Sequence, residues 1–146
     1  MPLTTPVPEI AHVIQLAVAP VFLLSGVGVT LTVLTSRLSR IVDRARSLEG
    51  QLPAGTSGEE TDVHRELATL SRRAQLINRA LTLSTACALL VCVVIAALFL
   101  GALLGLDLSI VIAPLFVIAM VAFIGALLSF LREIFLATAT LRIGPR

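Results

Sequence analysis

The sequence predicts an all-α membrane protein with three transmembrane helices, the first two of which extend into a cytoplasmic antiparallel helical hairpin. Three apolar stretches, at about 10–34, 80–106 and 110–131, contain no Lys, Arg, Asp or Glu. Each is close to the roughly 20 residues that a helix needs to cross a bilayer core. Between the first two stretches, apolar residues recur three and four positions apart, which is typical of paired helices.

The distribution of charge sets the expected orientation. All eleven basic residues are Arg, and none precedes Arg37. Eight of them lie in 37–79, and three follow the third apolar stretch. Because positive charge is retained on the cytoplasmic side of short loops, we expect the N-terminus outside and the C-terminus in the cytoplasm.

The elements follow from the apolar stretches and the charges between them. We predict an extracytoplasmic N-terminal segment at 1–9, transmembrane helices at 10–35, 80–106 and 110–131, a cytoplasmic coiled-coil hairpin at 36–79 and a cytoplasmic tail at 132–146. The turn of the hairpin is expected at about 50–58, where Pro, Gly, Thr and Ser cluster. Ser57 with Glu60, or Thr56 with Glu59, fits a capping box at the start of the returning helix. Asp107 or Ser109 is expected to cap the third transmembrane helix.

The apolar pattern of the hairpin does not stop at the membrane, so each arm is expected to run into its span as one unbroken helix. The predicted contact positions are Leu31, Leu34, Leu38, Ile41, Ala45, Leu48 and Leu52 on the first arm, and Val63, Leu67, Leu70, Ala74, Ile77 and Leu81 on the second. Their spacing corresponds to the a and d positions of a coiled coil.

Three segments resemble a family of bacterial membrane proteins known only as domain-of-unknown-function family 2721. They are His12–Gly26 (HVIQLAVAPVFLLSG), Arg37–Arg46 (RLSRIVDRAR) and Arg72–Arg79 (RRAQLINR). The likeness covers nearly the whole chain. It implies a small protein of the bacterial inner membrane with several spans and no assigned activity, and it supplies no catalytic residues.

The first apolar stretch is less hydrophobic than the other two and carries a stripe of polar and small residues. The members of this stripe are Glu9, His12, Gln15, Ala19, Gly26 and Thr30, and all but Glu9 fall within about a quarter turn at 3.6 residues per turn. A stripe of this kind is typical of a helix-packing face or of a pore lining. A metal site at His12 has little support, because Glu9 is the only other strong ligand nearby.

Arginines form two faces at the cytoplasmic end of the predicted spans. Arg37, Arg40 and Arg44 share one face of the first arm, and Arg72 and Arg79 share a face of the second. These faces are expected either to contact anionic lipid headgroups or to line the cytoplasmic vestibule of an oligomer. Asp43 is a candidate for a salt bridge with Arg40 or Arg46, or with Arg73 or Arg79 on the other arm.

The sequence carries no template for catalysis. It has no nucleophile with a matching base, no phosphate-binding glycine loop and no paired metal ligands. We therefore expect no enzyme activity, no cofactor and no metal. Acidic residues interleave with the arginines and no aromatic residues lie among them, so nucleic-acid binding is not expected.

Two functions remain. In the first, identical subunits surround an axis lined by the first helix, with Leu16 and Leu23 as an apolar constriction and the arginines at the inner mouth. The substitution Arg37→Glu is then expected to change the charge selectivity of the pore. In the second, the protein is a non-conducting scaffold or regulatory subunit whose hairpin binds a cytoplasmic protein and anionic lipid. The several small-residue faces and the long hairpin arms favour a homo-oligomer, which the pore requires.

Overall fold

The computed structural model of the protein describes residues 7–51 and 57–142, which form three long helices. They are α1 (Val7–Gln51), α2 (Ser57–Leu104) and α3 (Ser109–Arg142). α1 and α2 are continuous, as the unbroken apolar pattern predicts. All three contain an apolar segment long enough to cross a membrane. Residues 1–6, 52–56 and 143–146 lie outside the described residues, and with them Leu52, Thr56 and most of the predicted turn.

The chain divides into two compact units, each with its own core. The first unit is Met1–Leu31 with Leu83–Ile124, and the second is Thr32–Thr82 with Gly125–Arg146. In the first unit, Val27 of α1, Cys87 and Val91 of α2 and Ala119 of α3 are fully buried in one cluster. Small residues at two of these four positions allow close contact between helices.

The second unit is built on the apolar positions that were predicted as the contact seam. Its buried cluster contains Leu34, Ile41 and Leu48 of α1 and Leu70, Ile77 and Ala80 of α2. Leu38, Ala45, Val63, Leu67, Ala74 and Leu81 pack against this cluster. α3 contributes Phe130, which also packs against the cluster and which the sequence pattern did not single out.

The connection between α2 and α3 is a tight turn within the first unit. Gly105 adopts a left-handed conformation, with φ of 68°, and the amide of Leu106 donates to the carbonyl of Gly101 at 2.9 Å. This arrangement is the Schellman termination that glycine favours, since glycine has no Cβ to oppose a positive φ. Asp107 Oδ1 then accepts from the Ser109 amide at 3.1 Å and from the Ser109 hydroxyl at 2.6 Å, so Asp107 satisfies a free amide at the start of α3.

Candidate functional site

The most unusual site in the second unit is a buried carboxylate held by two arginines. Glu133 of α3 is completely buried. Oε2 of Glu133 accepts from Arg37 Nη1 at 2.8 Å, and Oε1 accepts from Arg73 Nε at 3.0 Å and Nη2 at 2.9 Å. One acid thus connects α1, α2 and α3. We call these three residues the glutamate clamp.

The burial of Glu133 follows from a seven-residue spacing on α3. Ala119, Ala126 and Glu133 are seven apart and are all buried, so Glu133 lies on the packed face of α3. A buried carboxylate is costly unless it is paired and hydrogen-bonded. Both oxygens of Glu133 are bonded, which meets this requirement. Arg37 also lies over the ring of Phe130, with its guanidinium carbon 5.1 Å from the ring centroid, in a cation–π contact.

The predicted arginine face of α1 forms part of a small basic cleft. Arg37, Arg40 and Arg44 line a cavity of about 290 Å³ together with Arg73 of α2. Arg44 is paired with Glu66 across α1 and α2, with Nη2 and Oε1 3.1 Å apart. Within the described part of the chain, Arg40 forms no ion pair. Arg40 is therefore the arginine of this cleft whose charge is least compensated.

Asp43 does not take the place that the sequence suggested for it. It is exposed, and none of the ion pairs among the described residues includes it. The acid that pairs with Arg73 is Glu133 instead. Asp43 is adjacent in sequence to Val42, which is exposed, and this side of α1 points away from the packed core. Helical spacing brought Asp43 within reach of arginines, but in the structure none of them pairs with it.

The predicted stripe of α1 lies on the outside of the single chain for most of its length. Glu9, His12, Gln15, Ala19 and Gly26 are exposed, and Thr30 is half-buried. A Cβ built on Gly26 has no atom within 4 Å. The stripe was expected to be a helix-packing face or a pore lining. Around Gly26 it does not pack against α2 or α3. Leu23, expected at an apolar constriction, packs instead against the core of the first unit.

The outer half of the stripe borders an open cavity in the first unit. The cavity has a volume of about 760 Å³, and its walls are mostly apolar. Its polar lining comes from Glu9, His12, Asp107 and Ser109. The hydrogen bonds from Ser109 lower the pKa of Asp107 below its usual value, because they favour the charged form. Asp107 is consequently a fixed negative charge at this cavity near neutral pH.

The second predicted arginine face lines a groove in the second unit. Arg72 and Arg79 are exposed on α2 and meet Arg132 of α3 around a cavity of about 590 Å³. Leu76, Phe135 and Leu136 supply apolar walls. We call this the arginine groove.

Sequence reasoning missed Glu133 and Arg132 as site residues. Both lie just past the third apolar stretch, where Arg132 was counted only toward the orientation and Glu133 was part of the tail. A usable signal was present in the spacing, since Glu133 is seven residues after Ala126 and fourteen after Ala119. A charged residue at the next position of a small-residue face is a candidate for a buried pair.

These features define a helical protein with three helices long and apolar enough to cross a membrane, which indicates a multi-pass membrane protein. Residues 17–143 match the family described as Protein of unknown function (DUF2721), and the chain belongs to this family. The match begins within α1, covers α2 and α3, and includes the glutamate clamp and the arginine groove. No curated protein and no solved structure matches the chain.

Proposed function

We propose that the protein is a homo-oligomeric, pore-like protein of a bacterial inner membrane, in which the polar stripe of α1 faces a shared, water-accessible axis. α1 and α2 then extend into the cytoplasm as an antiparallel hairpin. The N-terminus lies outside, and the arginine-rich part of the chain lies in the cytoplasm, in line with the positive-inside rule. The chain has no catalytic role in this proposal.

The observation that carries the proposal is the exposure of Gln15 and its neighbours on the stripe. Gln15 lies within an apolar helix but is exposed in the single chain. A polar amide facing lipid has no hydrogen-bond partner there, which costs several kcal/mol. Contact with water at an axis, or with a second copy of the chain, would satisfy it. The exposed Gly26 allows a second helix to approach closely at the same face.

Because of the glutamate clamp, not every arginine on the α1 face is suited to line a vestibule. Arg37 is bonded to Glu133, so its charge is largely compensated. A Glu at position 37 would place two carboxylates side by side and disturb the clamp. Arg40 is exposed and forms no ion pair within the described residues, so it is the better position for testing charge selectivity.

Native mass spectrometry of the purified chain in a mild detergent tests the oligomer first. A closed ring of four or more copies is expected, since three helices are too few to enclose a path within one subunit. Gly26→Val is expected to lower the oligomer fraction without lowering the helical content, because nothing within the chain occupies the space at Gly26. Gly50→Val is the matched control, since Gly50 also has open space around it but lies outside the stripe.

Accessibility to a charged thiol reagent then tests the axis. Single cysteines at Gln15 and Thr30 are placed in a background that carries Cys87→Ala and Cys92→Ala. Both positions are expected to react in liposomes, and Val29, exposed in the single chain but off the stripe, is expected not to. A ring whose Gln15 and Thr30 cysteines stay unreactive would rule out a water-filled axis. In a conducting sample, Arg40→Glu is expected to reduce anion preference.

The alternative is a non-conducting scaffold or regulatory subunit, and the glutamate clamp favours it. The clamp fixes α1, α2 and α3 together through side chains of which Glu133 is fully buried. A rigid helical unit with an exposed charged surface suits the binding of a cytoplasmic protein and of anionic lipid headgroups. A monomer or dimer in native mass spectrometry would leave this alternative standing and exclude the pore.

A further inference from the structure

We propose that the arginine groove is a binding site for one anionic phospholipid, with the phosphate held by Arg72, Arg79 and Arg132 and the apolar part of the lipid nearest the headgroup in contact with Phe135 and Leu136. The inference rests on the membrane placement in the proposed function and not on conduction. It assigns a ligand to a cavity that lies apart from both the polar stripe of α1 and the glutamate clamp.

Charge complementarity is the first support. Three guanidinium groups from two helices line the groove, and no acid is among the described residues that line it. The neighbouring acid, Glu133, is bonded through both oxygens to Arg37 and Arg73, so it does not compensate the groove. Guanidinium groups bind phosphate oxygens with two parallel hydrogen bonds. The groove therefore has the chemistry of a phosphate site.

The apolar walls and the position along the chain select a lipid over a soluble anion. Phe135 is 65% exposed and Leu136 is 38% exposed, and both stand on the groove beside the arginines. Arg79 directly precedes the second apolar stretch, and Arg132 directly follows the third. At these boundaries lipid phosphates meet acyl chains. A groove with three cations and an exposed aromatic ring fits an amphiphile with a phosphate at one end.

The test is a titration of the purified full-length chain by native mass spectrometry with phosphatidylglycerol, with phosphatidylcholine and with inorganic phosphate. Phosphatidylglycerol is expected to bind at least about tenfold more tightly than phosphatidylcholine, since each arginine near an anionic headgroup gives about a fivefold gain. Arg72→Gln with Arg79→Gln is expected to weaken phosphatidylglycerol binding on the order of 20-fold. Arg46→Gln with Arg65→Gln removes the same charge from exposed positions outside the groove and is expected to leave binding unchanged.

Phe135→Ala separates a lipid from a soluble anion. It is expected to weaken phosphatidylglycerol binding and to leave the weak binding of inorganic phosphate unchanged. Equal losses in the two double variants would show that net charge, not the groove, attracts the lipid, and would overturn the proposal. Strong phosphate binding with no effect of Phe135→Ala would assign the groove to a soluble anion and overturn it as well.

The outcomes of these lipid titrations do not depend on whether the protein forms a pore. Subunit number and thiol accessibility of α1 are read in separate measurements, so the groove can fail while the oligomer and its axis stand. Conversely, a monomer that retains one phosphatidylglycerol would remove the pore and leave the lipid site in place.

Discussion

Arg73 meets Glu133 with two nitrogen atoms, Nε and Nη2, which lie 3.0 and 2.9 Å from the same carboxylate oxygen. The other oxygen of Glu133 receives Arg37. The carboxylate is completely buried, whereas the side chains of Arg37 and Arg73 are 39% and 23% exposed. The clamp therefore combines a costly buried charge with two partners that retain some solvent.

Replacing Glu133 with Gln is expected to lower the free energy of unfolding by about 2–4 kcal/mol, because the loss leaves two arginines without a compensating charge. Glu66→Gln is the matched control. Its ion pair with Arg44 is about half exposed on both sides, so a loss of at most about 1 kcal/mol is expected. Circular dichroism during denaturation is the suitable measurement, since the chain contains no Trp or Tyr. If Glu133→Gln and Glu66→Gln lowered the free energy of unfolding equally, burial of the carboxylate would not be what makes the Glu133 pairs important.

The two arginines of the clamp are expected to couple unequally to Glu133. A double-mutant cycle with Arg73→Ala and Glu133→Ala should give a coupling energy of about 2–3 kcal/mol, because two charged hydrogen bonds are removed. The cycle with Arg37→Ala should give about 1–2 kcal/mol for its single bond. Arg37 also contacts the Phe130 ring, and it is expected to keep that contact when Glu133 is replaced. A larger coupling for Arg37 than for Arg73 would contradict the observed geometry.

The turn between α2 and α3 is expected to depend on its two glycines. Gly105→Ala should cost about 1 kcal/mol, since the residue has a positive φ. Gly101→Ala should also destabilise, because its Cβ would lie 3.1 Å from the carbonyl oxygen of Leu106. Gly50→Ala, with open space around it in α1, should instead be neutral or stabilising by up to about 1 kcal/mol. Thermal unfolding of the three variants measures their relative stabilities. A Gly50→Ala variant that is less stable than the wild type would contradict this prediction.

The bonds between Asp107 and Ser109 predict a pH dependence with a definite sign. Their effect is to lower the pKa of Asp107 in the folded protein. The stabilisation is therefore present above the usual Asp pKa of about 4 and is lost as the pH falls through the lower folded value. Asp107→Ala should lower the melting temperature at about pH 7, and the difference from the wild type should shrink below about pH 3. A difference that is constant with pH would mean that the charge of Asp107 plays no part.

Ser84 offers a prediction of opposite sign. Its hydroxyl oxygen is buried and has no hydrogen-bond partner among the described residues. A buried hydroxyl without a partner costs about 1–3 kcal/mol, so Ser84→Ala is expected to leave stability unchanged or raise it by about 1 kcal/mol. Val91→Ala, a truncation at a fully buried position seven residues further along α2, should destabilise by more than about 1 kcal/mol. A marked loss of stability in Ser84→Ala would indicate that the hydroxyl has a partner.

The positions packed along the helices were predictable from the sequence, because apolar spacing is a local property that each helix carries by itself. Leu34, Ile41 and Leu48 are buried where the pattern predicted. The charged contacts were not predictable in the same way. Arg37 has no acid three or four positions away on α1, and its partner Glu133 is 96 positions away along the chain. Such a pairing depends on how α3 packs, which the spacing of α1 does not contain.

Placing the polar stripe on a face of α1 was possible from the sequence, but knowing what covers it was not. Exposure of Gln15 in one chain is compatible with water or with another copy. The same holds for the arginine groove. The sequence placed Arg72 and Arg79 on one face of α2, but it did not show that Arg132 and Phe135 of α3 lie beside them. Local periodicity gives the direction of a side chain, whereas a site needs the neighbours that packing brings.

The buried row of α1 repeats every seven residues, with Val13, Val27, Leu34, Ile41 and Leu48 among its members. A straight helix has 3.6 residues per turn, so a strict seven-residue row drifts by about 20° per repeat and winds around the helix as a left-handed line. Over the five repeats from Val13 to Leu48 the drift amounts to about 100°. The polar stripe keeps the period of the straight helix, so the angle between the stripe and the buried row becomes smaller toward the inner end of α1. By Arg37 this line of residues reaches the interior of its own chain through the bond to Glu133, whereas Arg40 and Arg44, further along α1, remain exposed.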